Sequence, residues 1–269
     1  MSGLEARSYD GAGRVLAAFA PLRPHAAYAM AAALGALRNR ITRRWPAAGE
    51  VQALFPRIDS HTAEVIAARI GALHERNRVL VRCVLRDGLA PVRPLVHATE
   101  SLVTLTGPRI LATFHVGAVH ALGPVLERLR APVLAFRSGV LFAPGQRLEV
   151  LSTIGDEKTR AAVLHRALMH LRGGGIVLLA LDVVQDQFVQ TRCLGRALRI
   201  APGAFALARW SGAPILPVTA RWQSSSEIRV DAGEPVSNAD EAAAWLERYL
   251  LGSPSELTLG LLRMLLGVS

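Results

Sequence analysis

Short apolar runs alternate with segments of helical period between residues 96 and 220, and this alternation limits the possible folds more than any other feature of the sequence. Short apolar runs predict buried strands, and the amphipathic segments between them predict helices that cover the sheet. The expected fold is therefore α/β, with a mainly parallel central sheet flanked by helices. The predicted strands are Ser101–Thr106, Ile110–Phe114, Pro132–Phe136, Ile176–Leu181 and Pro214–Ala220, and the predicted helices are Ala118–Arg130, Lys158–Arg172 and Gly203–Ser211.

The segments on either side of this region have a different sequence pattern. Residues 1–95 predict an N-terminal helical extension, in which Ala63–Arg86 has helical period and Asp59 stands where an N-cap would lie. Residues 96–269 are expected to form the α/β domain, and the two regions are expected to be one structural unit. After the alternating region the sequence predicts an edge strand at Glu227–Asp231 and helices at Asn238–Leu251 and Ser255–Leu266.

A largely apolar stretch near the amino terminus raises the question of a membrane span. Val15–Leu37 is interrupted by Arg23, Pro24 and His25, and the uninterrupted part, Ala26–Leu37, is shorter than the ~20 residues that a bilayer requires. We therefore expect a helix that lies at a membrane surface or packs on the protein, not a span. No signal-peptide cleavage pattern follows, so the expected location is the cytoplasm or, peripherally, the cytoplasmic face of the inner membrane.

The charge of the chain is strongly positive, and arginine supplies almost all of it. The formal net charge is +10, and Lys158 is the only lysine. The guanidinium group suits phosphates and carboxylates, so the charge predicts an anionic partner, although an arginine- and alanine-rich composition accounts for it equally well. Cys83 and Cys193 have no metal-ligand spacing, and the arginines are not interleaved with aromatic residues. Neither a metal site nor nucleic-acid binding is expected.

Polar residues follow three of the predicted strands. His115, Arg137 and Asp182 stand at the carboxyl ends of apolar runs, where ligands gather in parallel sheets. His115 is a candidate general base, but no Asp or Glu stands within the helical turn that follows it. No serine lies in a G-x-S-x-G motif, and His115 and His120 do not have the H-E-x-x-H spacing.

The order of several segments resembles the bacterial lipid A biosynthesis acyltransferases, a family of the lysophospholipid acyltransferase superfamily. The segments that carry the resemblance are Phe114-His115-Val-Gly117, Leu171-Arg-Gly-Gly-Gly-Ile-Val-Leu-Leu-Ala-Leu-Asp182 and the run from Leu194 to Pro217 that contains Gly195 and Gly203. Leu54-Phe-Pro and Pro254-Ser-Glu-Leu resemble flanking segments of the same family. The similarity is diffuse and spans nearly the whole chain.

The resemblance implies transfer of a fatty acyl group to a hydroxyl (or an amine) of a lipid or glycolipid acceptor. The implied donor is an acyl carrier protein or coenzyme A thioester, with no bound cofactor. In that family a histidine removes the acceptor proton, with an Asp or Glu five positions later, and His115 matches that histidine. Gly195 and Gly203 resemble turn positions of the family, and with Gly117 they are predicted to lie at the substrate site; ordinary turn glycines are the alternative for Gly195 and Gly203.

The chain departs from the family pattern at the catalytic acid. His120 stands where the acid is expected, and Val183 follows Asp182 where the family has glutamine. Asp182 or His120 is therefore expected to orient His115, and Arg137 or Arg147 to contact anionic substrate groups. A catalytically silent lipid-binding or partner subunit and an acyltransferase for a secondary metabolite remain alternatives.

Overall fold

The computed structural model describes residues 12–42, 46–137, 148–152, 156–183 and 187–267. Helices make up most of the chain before the sheet, as the sequence predicts: α1 (residues 12–19), α2 (Pro24–Thr42), α3 (Ala48–Leu54) and α4 (Ser60–Asp87). Asp59 caps α4, because its Oδ1 accepts a hydrogen bond from the Thr62 amide at 2.7 Å. Within these described ranges, every helix is too short or too polar to cross a bilayer.

The sheet contains the predicted parallel strands in its centre. The described strands are β1 (Val96–Ala98), β2 (Arg109–Thr113), β3 (Val133–Arg137), β4 (Leu148–Ser152), β5 (Ile176–Ala180), β6 (Val189–Cys193), β7 (Arg196–Ile200), β8 (Ile215–Trp222) and β9 (Ile228–Ala232). Seven of them form one sheet in the order β1-β9-β8-β2-β5-β3-β4, and β6 pairs with β7 in an antiparallel hairpin. The five strands from β8 to β4 are parallel to one another, so their carboxyl ends lie at the same edge.

Helices and apolar side chains cover both faces of this sheet. The remaining helices are α5 (Glu100–Val103), α6 (Gly123–Leu126), α7 (Glu157–Arg172), α8 (Gly203–Ser211), α9 (Ala239–Gly252) and α10 (Leu259–Leu266). Leu111 of β2 packs in the core that α2 and α4 cover, whereas its neighbours Ile110 and Ala112 pack in the core on the opposite face. A strand that is buried on both faces has a continuous run of apolar residues, so these strands could be predicted from the sequence. The predicted α/β fold class, with its N-terminal helices, is confirmed.

Four predicted elements differ from the structure. The helix expected at Ser255–Leu266 is interrupted: Pro254–Glu256 form a 3₁₀ turn, Leu257 pairs with Val116, and α10 begins only at Leu259. Ser101–Thr106 is not a strand. Its first residues belong to the short helix α5, whose N-cap is Thr99, and Leu102 is buried whereas its neighbours are exposed or half-buried. Ala118–Arg130 is not one helix, because Pro124 lacks an amide hydrogen and the chain forms a 3₁₀ turn followed by the single-turn helix α6. The strand expected at Glu227–Asp231 exists as β9, but it is not at the edge, since β1 pairs with its outer side.

Helices α2 and α4 approach each other closely at a pair of glycines. A Cβ atom added to Gly35 would lie 2.3 Å from the carbonyl oxygen of Gly71, and one added to Gly71 would lie 2.9 Å from the carbonyl oxygen of Gly35. Tyr28 and Ala31 of α2 are buried beside this crossing. The absence of a side chain at both positions therefore sets the distance between the two helices.

We expect Gly35→Ala to destabilise the protein although alanine favours helix formation. In an open helix interior this change stabilises by about 1 kcal/mol, but here the added methyl meets backbone atoms, and overpacking costs roughly 1–3 kcal/mol. Thermal unfolding measures the difference. Gly49→Ala in α3 is the matched control, because nothing lies within 4 Å of the added Cβ there. A Gly35→Ala protein at least as stable as wild type would contradict this account of the helix crossing.

Candidate active site

Two neighbouring parallel strands carry the candidate base and its partner to the same place. Thr113, the last residue of β2, is in register with Ala180, the last residue of β5. The amide of Leu181 donates to the carbonyl oxygen of Thr113 at 2.7 Å, so the pairing continues past the strand ends. His115 and Asp182 each lie two residues beyond these ends. The sheet register therefore brings the two residues to neighbouring positions at the same edge of the sheet.

His115 and Asp182 form two hydrogen bonds. Asp182 Oδ1 lies 2.8 Å from His115 Nδ1, and Asp182 Oδ2 accepts from the His115 backbone amide at 2.8 Å. The Asp182 side chain is only 3% exposed, whereas that of His115 is 34% exposed. Because Nδ1 faces the carboxylate, the proton of the neutral ring lies on Nδ1. The Nε2 lone pair is then available to a ligand. This is the arrangement of an oriented general base.

Burial and the carboxylate act in opposite directions on the pKa of His115. Desolvation lowers this pKa, but the hydrogen bond and the charge of Asp182 together outweigh it, and the pKa is raised above its ordinary value. The pair therefore favours a proton on the imidazole. A base that is to accept a proton from a hydroxyl gains stability in its charged form from this partner.

His120 lies near His115 but cannot replace a carboxylate. The two ring centroids are 6.5 Å apart, which is too far for a hydrogen bond between the rings. Burial, and secondarily the positive charge of His115, lower the pKa of His120 to about 4, so this ring is neutral at physiological pH. Of the two residues that the sequence offered as the orienting group, the structure brings Asp182 into contact with His115.

A tight turn after β2 fixes the position of His115. Gly117 has a φ of +57°, and a Cβ added there would lie 2.2 Å from the carbonyl oxygen of Ala220. The Gly117 amide donates to the carbonyl oxygen of Glu256 at 2.7 Å, and the next amide, of Ala118, donates to that of Ala220 at 2.6 Å. Only glycine fits this backbone conformation and this close approach. Gly117 thus contributes its backbone conformation to the turn beside the candidate base.

His115 and His120 line a cavity of about 920 Å³ between the N-terminal helices and the start of α10. Its described walls combine four arginines with one glutamate, a formal excess of three positive charges before the histidines are counted. Glu75 pairs with Arg38 at 3.2 Å and with Arg78 at 3.1 Å. The lining arginines are Arg38, Arg78, Arg82 and Arg263, and the apolar lining includes Leu85, Val119 and Leu259. The cavity therefore suits a ligand with both an anionic and an apolar part.

These arginines could not be identified from the sequence, because they come from three helices that are far apart in the chain. A local signal did exist in α4, where His74, Arg78, Arg82 and Leu85 are spaced three or four residues apart and so share one helix face. Nothing in the sequence joined that face to Arg38 of α2 or Arg263 of α10. Their convergence is a result of tertiary packing.

The other predicted site residues lie elsewhere or outside the described residues. Arg137 ends β3 at the same edge of the sheet, but its side chain falls outside the described part of the chain, as does Arg147 entirely. Gly195 lies in the turn between β6 and β7, and Gly203 begins α8. Neither glycine lines the cavity.

We expect Asp182→Asn to lower the pKa of His115. The substitution removes the negative charge that raises this pKa and leaves the desolvation that lowers it. An NMR titration of the imidazole resonances, assigned with His115→Gln, measures the change. Asp156→Asn is the matched control, because Asp156 is an exposed N-cap of α7. An unchanged His115 titration in the Asp182→Asn protein would mean that this carboxylate does not control the ring.

The chain was compared with known proteins. No protein family model matches it, and no curated protein matches it. Among solved structures it is similar to the crystal structure of the 1-acyl-sn-glycerophosphate (LPA) acyltransferase PlsC from Thermotoga maritima. The sequence identity is 14%, the TM-score is 0.36, and the match covers 76% of this chain and 83% of the other.

Proposed function

We propose that this protein is an acyltransferase that moves a fatty acyl group from a thioester to a hydroxyl of a lipid acceptor. The observation that carries the proposal is the His115–Asp182 pair, joined at 2.8 Å, with the His115 ring at the wall of an arginine-lined cavity. A neutral imidazole held by a buried carboxylate is suited to removing a proton from an alcohol. His115 is the general base in this proposal, and Asp182 is the group that orients it.

The proposed reaction proceeds through one tetrahedral intermediate. His115 Nε2 takes the acceptor's hydroxyl proton while the hydroxyl oxygen attacks the thioester carbonyl carbon. The Asp182 carboxylate stabilises the imidazolium that forms. Collapse of the intermediate breaks the carbon–sulfur bond, and the departing thiolate takes the proton from His115. The products are an ester and a free thiol, and the histidine returns to its starting state.

The arginine lining of the cavity favours an acceptor or a donor that carries an anionic group. Arg78, Arg82 and Arg263 take the place of Arg137 and Arg147 in this proposal, because their side chains line the same cavity as the base. The apolar wall, formed by residues such as Leu85 and Val119, would contact hydrocarbon. An acyl carrier protein or coenzyme A thioester is the proposed donor, and a phosphate-bearing lipid or glycolipid is the proposed acceptor.

The test is release of free thiol from an acyl carrier protein thioester and from acyl coenzyme A, each with matched acceptors. A monoacylglycerol and the same lipid bearing a phosphate form one such pair. We expect activity with one of the donors, higher for the phosphorylated acceptor, and a loss of about 10²–10⁴-fold in both His115→Ala and Asp182→Asn. Equal background release from wild type and His115→Ala would overturn the catalytic proposal and favour a silent, lipid-binding role.

A further variant in the same assay tests whether the chain needs an acid at position 120, where the family has Asp or Glu. His115 Nδ1 already contacts Asp182, so His120→Glu is expected to give no large gain in rate. A large gain would mean that Asp182 does not supply the function of the family's acid. His120→Gln serves as the control for the loss of the imidazole, because it adds no charge.

We further propose that α1 and α2 hold the protein peripherally on an anionic membrane surface, at its cytoplasmic face. Large apolar side chains are exposed along these helices and in the turn between them, namely Val15, Phe19, Leu22, Met30, Leu34 and Leu37. Leu34 and Leu37 stand beside Arg38, which lines the cavity. Apolar insertion and attraction between the net charge of +10 and acidic lipids would then act together.

Leu22→Asp is expected to weaken binding to vesicles that contain acidic phospholipid. The Leu22 side chain is 79% exposed, so the change disturbs little folded structure and places a negative charge on the proposed contact surface. Vesicle sedimentation at low and high salt measures the effect, and binding of wild type should fall as salt rises. Leu251→Asp is the matched control, since Leu251 is 59% exposed on α9. Equal loss in both variants, or loss in neither, would contradict the proposed surface.

A further inference from the structure

The segment before α10 contacts the His115 turn at three consecutive residues. The carbonyl oxygen of Glu256 accepts from the amide of Gly117 at 2.7 Å, and Leu257 forms an isolated antiparallel bridge with Val116. The Thr258 hydroxyl donates to the carbonyl oxygen of His115. These contacts join residues about 140 positions apart in the chain, and they pair the turn with the segment that starts α10.

The Thr258 hydroxyl has two partners. It is the N-cap of α10 and accepts from the Leu261 amide at 3.5 Å, and it donates its single proton to His115. A hydroxyl can do both at once because it has one donor and two acceptor sites. The start of α10 and the backbone of the candidate base therefore share one side chain.

Both backbone groups of His115 are thus held by side chains from separate elements. Asp182, after β5, accepts from the His115 amide, and Thr258 donates to the His115 carbonyl oxygen. These two bonds restrict rotation of the peptide groups on either side of the Cα atom. The same restriction fixes the direction of the Cα–Cβ bond, and the bond between Nδ1 and Asp182 then orients the ring and its Nε2 atom.

We infer that Thr258 is a positioning residue for His115, an assignment that rests on the proposed acyl transfer. It holds the base in the orientation that Asp182 requires, and it ties that orientation to α10, whose residues Leu259, Gly260 and Arg263 line the same cavity. Thr258 acts through the His115 backbone and takes no proton itself. A displacement of about 1 Å at a reacting group can lower a rate roughly 10²-fold, so this one contact matters to the reaction.

The test compares Thr258→Val with Thr258→Ser. Valine keeps the shape of threonine but cannot donate to His115, whereas serine keeps the hydroxyl. We expect Thr258→Val to lower kcat about 10- to 100-fold with little change in the KM for the acceptor, and Thr258→Ser to restore most of the rate. Asn238→Ala controls for the loss of an N-cap, because Asn238 caps α9 through the Glu241 amide at 2.9 Å. That control should lower the melting temperature without changing kcat.

An NMR titration of His115 tests the same inference without substrate. Among the residues that the structure describes, the titratable groups in contact with this ring or beside it are Asp182 and His120. If Thr258 aligns the ring with Asp182, Thr258→Val lowers the pKa of His115 and Asn238→Ala does not. Unchanged kcat and an unchanged His115 titration in Thr258→Val would overturn the positioning role while leaving acyl transfer intact. Absence of thiol release from wild type would instead overturn the proposed function, and the titration would still decide whether Thr258 aligns the ring.

Discussion

The pairing of β2 with β5 is the constraint on which the site depends. Five consecutive residue pairs align these strands, and the alignment brings the loops after them to the same edge of the sheet. A slip of one residue would turn every side chain of a strand to the opposite face. Such a slip is costly here because both faces are buried, so the same burial that stabilises the sheet also sets the position of His115 relative to Asp182.

The polar groups behind the His115 turn show how closely this region is packed. Asn77 is buried, its Nδ2 donates to the Gly117 carbonyl oxygen at 2.7 Å, and its Oδ1 accepts from Trp222 Nε1 at 3.2 Å. Near the same turn, burial raises the pKa of the Glu256 carboxyl group to about 7, although the positive charges of Arg221 and Arg76 oppose the shift. An amide with both ends satisfied specifies one backbone arrangement, because any other arrangement would leave a buried polar group without a partner.

Sequence patterns predicted the parts of this structure that depend on local order. The apolar runs of β2 and β5 and the capped helix α4 have signals within a few residues, and so does the position of Asp182 directly after a buried strand. The failures have local causes as well, such as Pro124 inside an otherwise helical pattern. The placement of the cavity arginines and of Thr258 could not be predicted, because it arises from contacts between helices and turns that are distant in the chain.

The acid that holds His115 comes from 67 residues away, not from the next helical turn. A partner within the same turn could persist in a partly unfolded chain, but this one exists only while two strands of the central sheet remain paired. The His115–Asp182 contact and the global stability of the molecule are therefore thermodynamically linked. Any ligand that stabilises the His115–Asp182 pair also stabilises the sheet, and any denaturant that separates the strands breaks this pair at the same moment.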